Sequence, residues 1–256
     1  MDRTINGFKE GLVPFLYDRK WGYLNPKGKV AIQNKYNNVT EFDKGHAVVE
    51  YEKEYFVIDK EGNEVPVELT NIHTIKKFTE GLAPYIDKKG NFGFIDMNGK
   101  VVIQAQYEGT GFFKSGLAWA RTKDGKIGFI NSTGEWVIWP RFKTVHNFDE
   151  ESGLARVELK RKWMYVNKMG ELVLNGECSK IGDYSEGFAI AEMNNKVGFI
   201  NPKQEWIIEP KYDSARNFKN GYAAVKLNGA WGLIDKQGNW VIQPTFAAIK
   251  DVVKIN

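Results

Sequence analysis

The chain has 256 residues, 14% of them aromatic and 8 of them Trp, with 36 Lys and Arg against 32 Asp and Glu for a formal charge of +4. That much ring surface excludes a disordered chain, and charges of both signs in near balance exclude the concentrated basic face of a nucleic-acid protein. A single cysteine, Cys178, excludes an internal disulfide or a multi-cysteine metal site, and with no run near 18 apolar residues and no apolar leader after Met1 the chain reads as cytoplasmic, without a membrane partner.

In chain order, the first element opens at Phe8, passes the turn glycine Gly11 and enters a short apolar strand, Leu12-Val13-Pro14-Phe15-Leu16. A polar turn leads to a middle strand, Trp21-Gly22-Tyr23-Leu24-Asn25, and Asn25 stands three residues before Gly28. Asn bonds the backbone two residues on, Pro26 presets the next position, and glycine closes the turn in a left-handed conformation, so this is a hairpin. A third strand follows at Val30-Ala31-Ile32. After it Tyr36, Val39 and Phe42 recur every three residues, a spacing that is not strand periodicity. This segment reads as an irregular link, or a short inner strand with a bulge, whose apolar side chains fill a seam.

Phe42 restarts the series. The anchoring aromatics Phe8, Phe42, Phe78, Phe113, Phe148, Tyr184 and Phe218 are separated by 34, 36, 35, 35, 36 and 34 residues. Seven units of about 35 residues therefore occupy residues 1–256 as one array, since a unit this small cannot bury a core by itself. The middle strand recurs as Tyr55–Asp59, Phe92–Asp96, Ile127–Asn131, Trp163–Asn167, Val197–Asn201 and Trp231–Asp235. Trp21 and Tyr23 share one face of it and Gly22 and Leu24 the other, so both faces are apolar. A strand apolar on both sides is covered on both sides, which predicts a sheet packed between copies of itself. The glycine lets a neighbouring backbone or ring come close.

Trp-Gly followed by an aromatic-aliphatic-Asp/Asn core, the hairpin glycine, the ending Ile208-Glu209-Pro210-Lys211-Tyr212 and the opening Phe78-Thr79-Glu80-Gly81-Leu82-Ala83 together resemble the bacterial WG (Lys-Trp-Gly) repeat family. The resemblance implies β-rich repeats with no common enzymatic activity, and it carries no catalytic residues over. Two units depart from the pattern. Phe56 and Met164 replace the glycine in the second and fifth units, and Cys178 replaces the seam aromatic in the fifth, where it is expected as a small buried residue.

Candidate chemistry is sparse. His46, His73 and His146 stand at unlike repeat positions, so no metal or cofactor site is expected from them. Asp59, Asp96 and Asp235 could suggest a ring of carboxylates, but Asn25, Asn131, Asn167 and Asn201 fill the same slot, and Asn caps a turn without serving as a general acid or base. Function is expected where the units differ. Trp119 and Arg156 occupy a slot that holds Pro14, Val48, Pro84, Ile190 or Ala224 elsewhere, and Trp139 stands where Gln33, Gln104, Glu209 and Gln243 stand, with Arg141 two residues on. Trp and Arg are the types enriched at binding hot spots. Lys160-Arg161-Lys162, the densest basic run, falls in a predicted turn.

The expected fold is thus all-β, with seven tandem repeats arranged as a seven-bladed propeller rather than an open solenoid. The eightfold occurrence of the seam, from Ile5 with Phe8 to Ile249 with Val252, weighs against closure unless one terminus completes a shared blade. The expected function is a non-enzymatic, protein-binding scaffold, in one version an inhibitor or immunity-type protein that occludes its partner. Trp119, Trp139, Arg141, Arg156, Lys160, Arg161 and Lys162 form the candidate contact surface. A glycan-binding array with repeated equivalent pockets and an enzyme with loop-borne residues around a funnel are the alternatives.

Overall fold

A computed structural model describes residues 7–173 and 178–250. All regular structure among them is β, in seven antiparallel sheets of consecutive strands. The first sheet has three strands, β1 (Val13–Tyr17), β2 (Lys20–Leu24) and β3 (Val30–Tyr36). The second runs β4 (Asn38–Val39), β5 (His46–Tyr51), β6 (Glu54–Asp59) and β7 (Glu64–Pro66); the third β8 (Ile72–Ile75), β9 (Ala83–Asp87), β10 (Phe92–Ile95) and β11 (Val101–Tyr107). The fourth holds β12 (Gly109–Thr110), β13 (Ala118–Arg121), β14 (Ile127–Ile130) and β15 (Trp136–Phe142); the fifth β16 (Thr144–Val145), β17 (Leu154–Leu159), β18 (Lys162–Asn167) and β19 (Leu172–Val173). The sixth is β20 (Lys180–Ser185), β21 (Phe188–Met193), β22 (Lys196–Ile200) and β23 (Trp206–Tyr212), and the seventh β24 (Ser214–Ala215), β25 (Tyr222–Leu227), β26 (Ala230–Asp235) and β27 (Trp240–Phe246). Up-and-down four-stranded sheets in tandem are the blade construction of β-propellers.

The seam segment is the short inner strand of the next sheet: Asn38 and Val39 pair with Glu50 and Val49. The second to seventh sheets therefore begin four to six residues before the anchoring aromatics Phe42, Phe78, Phe113, Phe148, Tyr184 and Phe218, all of them buried. Of the terminal seam residues, Ile5 and Val252 lie outside the described residues.

The Trp-Gly glycine has a specific structural reason. Opposite Gly22 the outer strand bulges, since Trp21 pairs with Tyr36 while Tyr23 pairs with Ile32. A Cβ on Gly22 would lie 2.6 Å from the Ile32 carbonyl oxygen and 2.7 Å from the Asn34 nitrogen. Gly93, Gly198 and Gly232 face the same bulge, with the equivalent carbonyl at 2.3–2.6 Å. Where Phe56 takes its place, the outer strand shrinks to Glu64–Pro66 and pairs without a register shift. The side chain blocks the bulge, and without the bulge the long outer strand cannot lie against its neighbour.

The chain forms two compact units, residues 1–136 and 137–256. Within the first, Tyr23, Ile32 and Tyr36 pack with Ala47, Val49 and Ile58 of the second sheet, whose alternate residues Val48 and Val57 pack with Ala83, Tyr85 and Ile95 of the third. Phe94 and Ile103 then join Ala118, Ala120 and Ile130. The second unit repeats the layering, Tyr165 with Ala189, Ala191 and Ile200, and Phe199, Ile208 and Tyr212 with Ala223, Val225 and Ile234. Each core thus lies between successive sheets, and no charged or polar residue among those described is buried.

Candidate functional site

The recurrent polar residues are used structurally. In Asn25, Asp59, Asp96, Asn131, Asn167, Asn201 and Asp235, one side-chain oxygen accepts from the backbone N–H groups two and four residues on, at 2.8–3.1 Å. The Asn63 amide and the turn N–H groups hold the Asp59 carboxyl below the ordinary range.

A second device ties sheet to sheet. Glu80 accepts from the N–H groups of Ser115 (2.7 Å) and Gly116 (2.9 Å), Glu186 from Asn220 (2.5 Å) and Gly221 (2.9 Å), and Glu10 from Gly45 (2.8 Å). The carboxylate of each Phe/Tyr-x-Glu-Gly opening, at Glu10, Glu80 and Glu186, therefore clasps the turn glycine one unit later. In the second unit Lys44 stands at that position, and the neighbouring Asp43 reaches Gly81 instead, at 3.3 Å.

The differing residues have distinct fates. Trp119 lies over the inner strand of its own sheet, where a Cβ on Gly111 would meet its indole nitrogen at 2.3 Å and one on Gly109 would meet the ring at 3.5 Å. The pair of glycines is what admits the ring. Arg141 donates to the Gly170 carbonyl at 2.5 Å. In the third and fourth sheets Tyr107 donates to the equivalent carbonyl of Gly134 at 3.3 Å; Phe142 has no hydroxyl, and Arg141 beside it serves that carbonyl instead. Trp139 is 73% exposed, and Met169, next to the Gly170 turn that Arg141 reaches, is 75% exposed.

Arg156 is held on several sides. Its Nε is 2.8 Å from Asp183 Oδ1, Nη1 donates to the Ile181 carbonyl at 2.8 Å, and Nη2 is 3.2 Å from His146 Nε2. The guanidinium stacks over Trp163 with its carbon 4.5 Å from the ring centroid, and His146 Nδ1 stands 3.0 Å from Asp183 Oδ2. Lys160 and Arg161 are the two tip residues of the β17–β18 hairpin, with φ of 51° and 64°. A cavity of about 540 Å³ opens beside this cluster, lined by Arg156, Arg161, Lys162, Trp163, Ser179 and Lys180 with Cys178 and Ile181. Lys180 is paired with Glu192, both oxygens at 3.0 Å. Cys178, expected to be buried, is half-buried: it packs on the core between the fifth and sixth sheets and also borders the cavity, because the smaller side chain leaves open what a ring would fill.

Residues 21–55, 92–126, 127–163, 163–196, 198–229 and 231–254 each match the WG containing repeat family. The chain belongs to the WG repeat family. Residues 56–91, which begin with Phe56 in the glycine's place, fall outside the matched ranges. No curated protein matches the chain. Among solved structures, it resembles one described as the crystal structure of the eukaryotic initiation factor, with a TM-score of 0.57 at 10% identity over 92% of this chain and 76% of that one. That is a likeness of fold alone. BamB from Moraxella catarrhalis (TM-score 0.45, 15% identity, 98% and 88% covered) and Hsv2p from Kluyveromyces lactis (0.48, 7%, 95% and 98%) are also similar.

The fifth WG unit concentrates the departures from the pattern. Arg156 in the variable slot, Met164 for glycine and Cys178 for the aromatic all belong to it or to its border with the sixth, and Arg156 and Cys178 line the same cavity. Sequence reasoning singled out Arg156 and the basic tip but missed Asp183 and His146 as the partners of Arg156. Asp183 lies 27 residues further along, in a stretch whose inner-strand character three-residue spacing hides. Among the described residues no group of three His, Cys, Asp or Glu could hold a metal ion, and no helix is long and apolar enough to cross a membrane.

Proposed function

We propose that this WG array is a non-enzymatic scaffold that binds a protein partner through the outer surface around Trp139. The observation that carries this reading is the exposure of Trp139 (73%) and Met169 (75%) on either side of the Arg141–Gly170 contact. An indole left in water at a position where other units carry Gln or Glu gains most by being covered, and Trp, Met and Arg are enriched where proteins meet. The repeated carboxylates and amides serve turns and clasps, which supports a role without turnover. In its narrower form the proposal is of an inhibitor or immunity-type protein that occludes its partner. A glycan-binding array would offer near-equivalent pockets, and three of its cavities have unlike linings, which favours the protein reading.

The test is affinity capture from the source organism's lysate with the wild-type chain, with Trp139→Ala/Met169→Ser, and with Val241→Ala as an exposed apolar control. One stoichiometric protein kept by the control and lost with the double variant supports the reading, and a partner enzyme that loses activity on binding supports the narrower form. Capture unaffected by the double variant, or glycan-array binding at several equivalent sites, would overturn it.

A further inference from the structure

We infer that the cavity between the fifth and sixth sheets is a second binding site, one that takes an acidic peptide segment. Its lining includes Arg161 and Lys162, which form no ion pair among the described residues, and none of the described residues that line it is a carboxylate. The other two cations of the wall are already matched, Arg156 by Asp183 and Lys180 by Glu192. They define the wall, and Arg161 and Lys162 remain as the charges a ligand would neutralise. Trp163, Cys178 and Ile181 supply the apolar part of the lining. A ligand that fits offers one or two carboxylates with an apolar side chain beside them. A cavity of about 540 Å³ is of a size that encloses such a fragment.

The same features argue against a nucleic acid. A strand of nucleotides needs a stripe of cations along its backbone and free aromatic faces for its bases. Here the unpaired cations are two neighbours on one hairpin, and Trp163 already carries the Arg156 guanidinium at 4.5 Å on its ring and His146 at 5.5 Å. Local charge of this kind matches carboxylates held close together on a peptide.

The cavity is bordered by Cys178, where the fifth unit lacks the seam aromatic, and by Trp163, next to the Met164 that replaces the glycine. The hairpin of the first sheet, with Asp18-Arg19 at its tip in the same left-handed conformation (φ 46° and 62°), carries no such set of departures. It is therefore an internal control.

The experiment is calorimetric titration of the full chain with the peptide acetyl-Glu-Glu-Phe-Glu-Glu-amide at 50 mM and 300 mM salt. Parallel titrations use acetyl-Lys-Lys-Phe-Lys-Lys-amide, a decamer of uridylate and inorganic phosphate. The expected result is saturable one-to-one binding of the acidic peptide, weakened severalfold by the higher salt. Arg161→Glu/Lys162→Glu should weaken it at least tenfold, while Arg19→Glu leaves it unchanged; both variants change exposed hairpin residues, and circular dichroism checks that they fold. Binding indifferent to the Arg161/Lys162 pair overturns the inference, as does uridylate binding more tightly than the peptide, or phosphate binding as tightly. Because the site does not include Trp139, loss of peptide binding in the tip variant with partner capture intact would separate this site from the surface proposed above.

Discussion

At the scale of single residues, the glycine of the Trp-Gly pair matters for the space it leaves. A Cβ on Gly198 would sit 2.3 Å from the Ile208 carbonyl and 2.8 Å from the Pro210 nitrogen, both backbone atoms that cannot swing away. Gly198→Ala should therefore cost roughly 1–3 kcal/mol, the range for overpacking a tight site, read as a lower urea midpoint with the slope unchanged. An unchanged midpoint would mean that the bulge yields. The residue pattern showed that something must approach this glycine closely. It could not show that the visitor is the bulged strand four residues beyond the hairpin turn, because a bulge is a register event between two strands. Arg141 was opaque for a related reason: its role depends on the hydroxyl missing from Phe142 and on a carbonyl 29 residues away.

At the scale of elements, the carboxylate clasp couples one sheet to the next. Glu186 takes both N–H groups of the Asn220-Gly221 turn and has Lys236 Nζ at 3.5 Å. Glu186→Ala should remove roughly 1.5–3 kcal/mol, the range for hydrogen bonds to a charged group, and speed hydrogen exchange at the Asn220 and Gly221 amides more than in the strands on either side. Equal protection in the variant would show that the turn holds without it. The strands and the Asx hairpins were readable from alternation and turn chemistry, since those signals are local. The clasp was not, although its glutamate recurs in Phe/Tyr-x-Glu-Gly, because both N–H groups it serves lie about one repeat period away. The inner strands were half-readable: two paired residues are too few to impose a period of two.

At the scale of the whole molecule, charges and phenols set the range of pH over which the fold is stable. Side-chain bonds from Lys196 to Asp213 and from Asn63 to Asp59 hold these carboxyls low, and at Glu10 the opposing effect of desolvation is outweighed by Lys60 and the N–H groups of the clasp. A lowered native value stabilises the fold above the unfolded one, about 3.9 for Asp and 4.3 for Glu, and is lost as pH falls through the native value. Burial pushes the phenols of Tyr23, Tyr36, Tyr165 and Tyr184 well up. Their contribution is complete below the unfolded value of about 10 and is lost as pH rises beyond it. Urea midpoints should be flat between about pH 5 and 9 and fall on both sides, a course that a midpoint constant down to pH 3 or up to pH 11 would contradict.

The outer strands have a consequence for how copies of the chain treat one another. A long, straight strand at a sheet margin is a template on which a second polypeptide can add and start a fibril. In this protein the margin is kinked opposite Gly22, Gly93, Gly198 and Gly232, and beside Phe56 it is only three residues long. The same small residue that lets each repeat close over its hairpin thereby guards a crowded solution of these chains against stacking edge to edge.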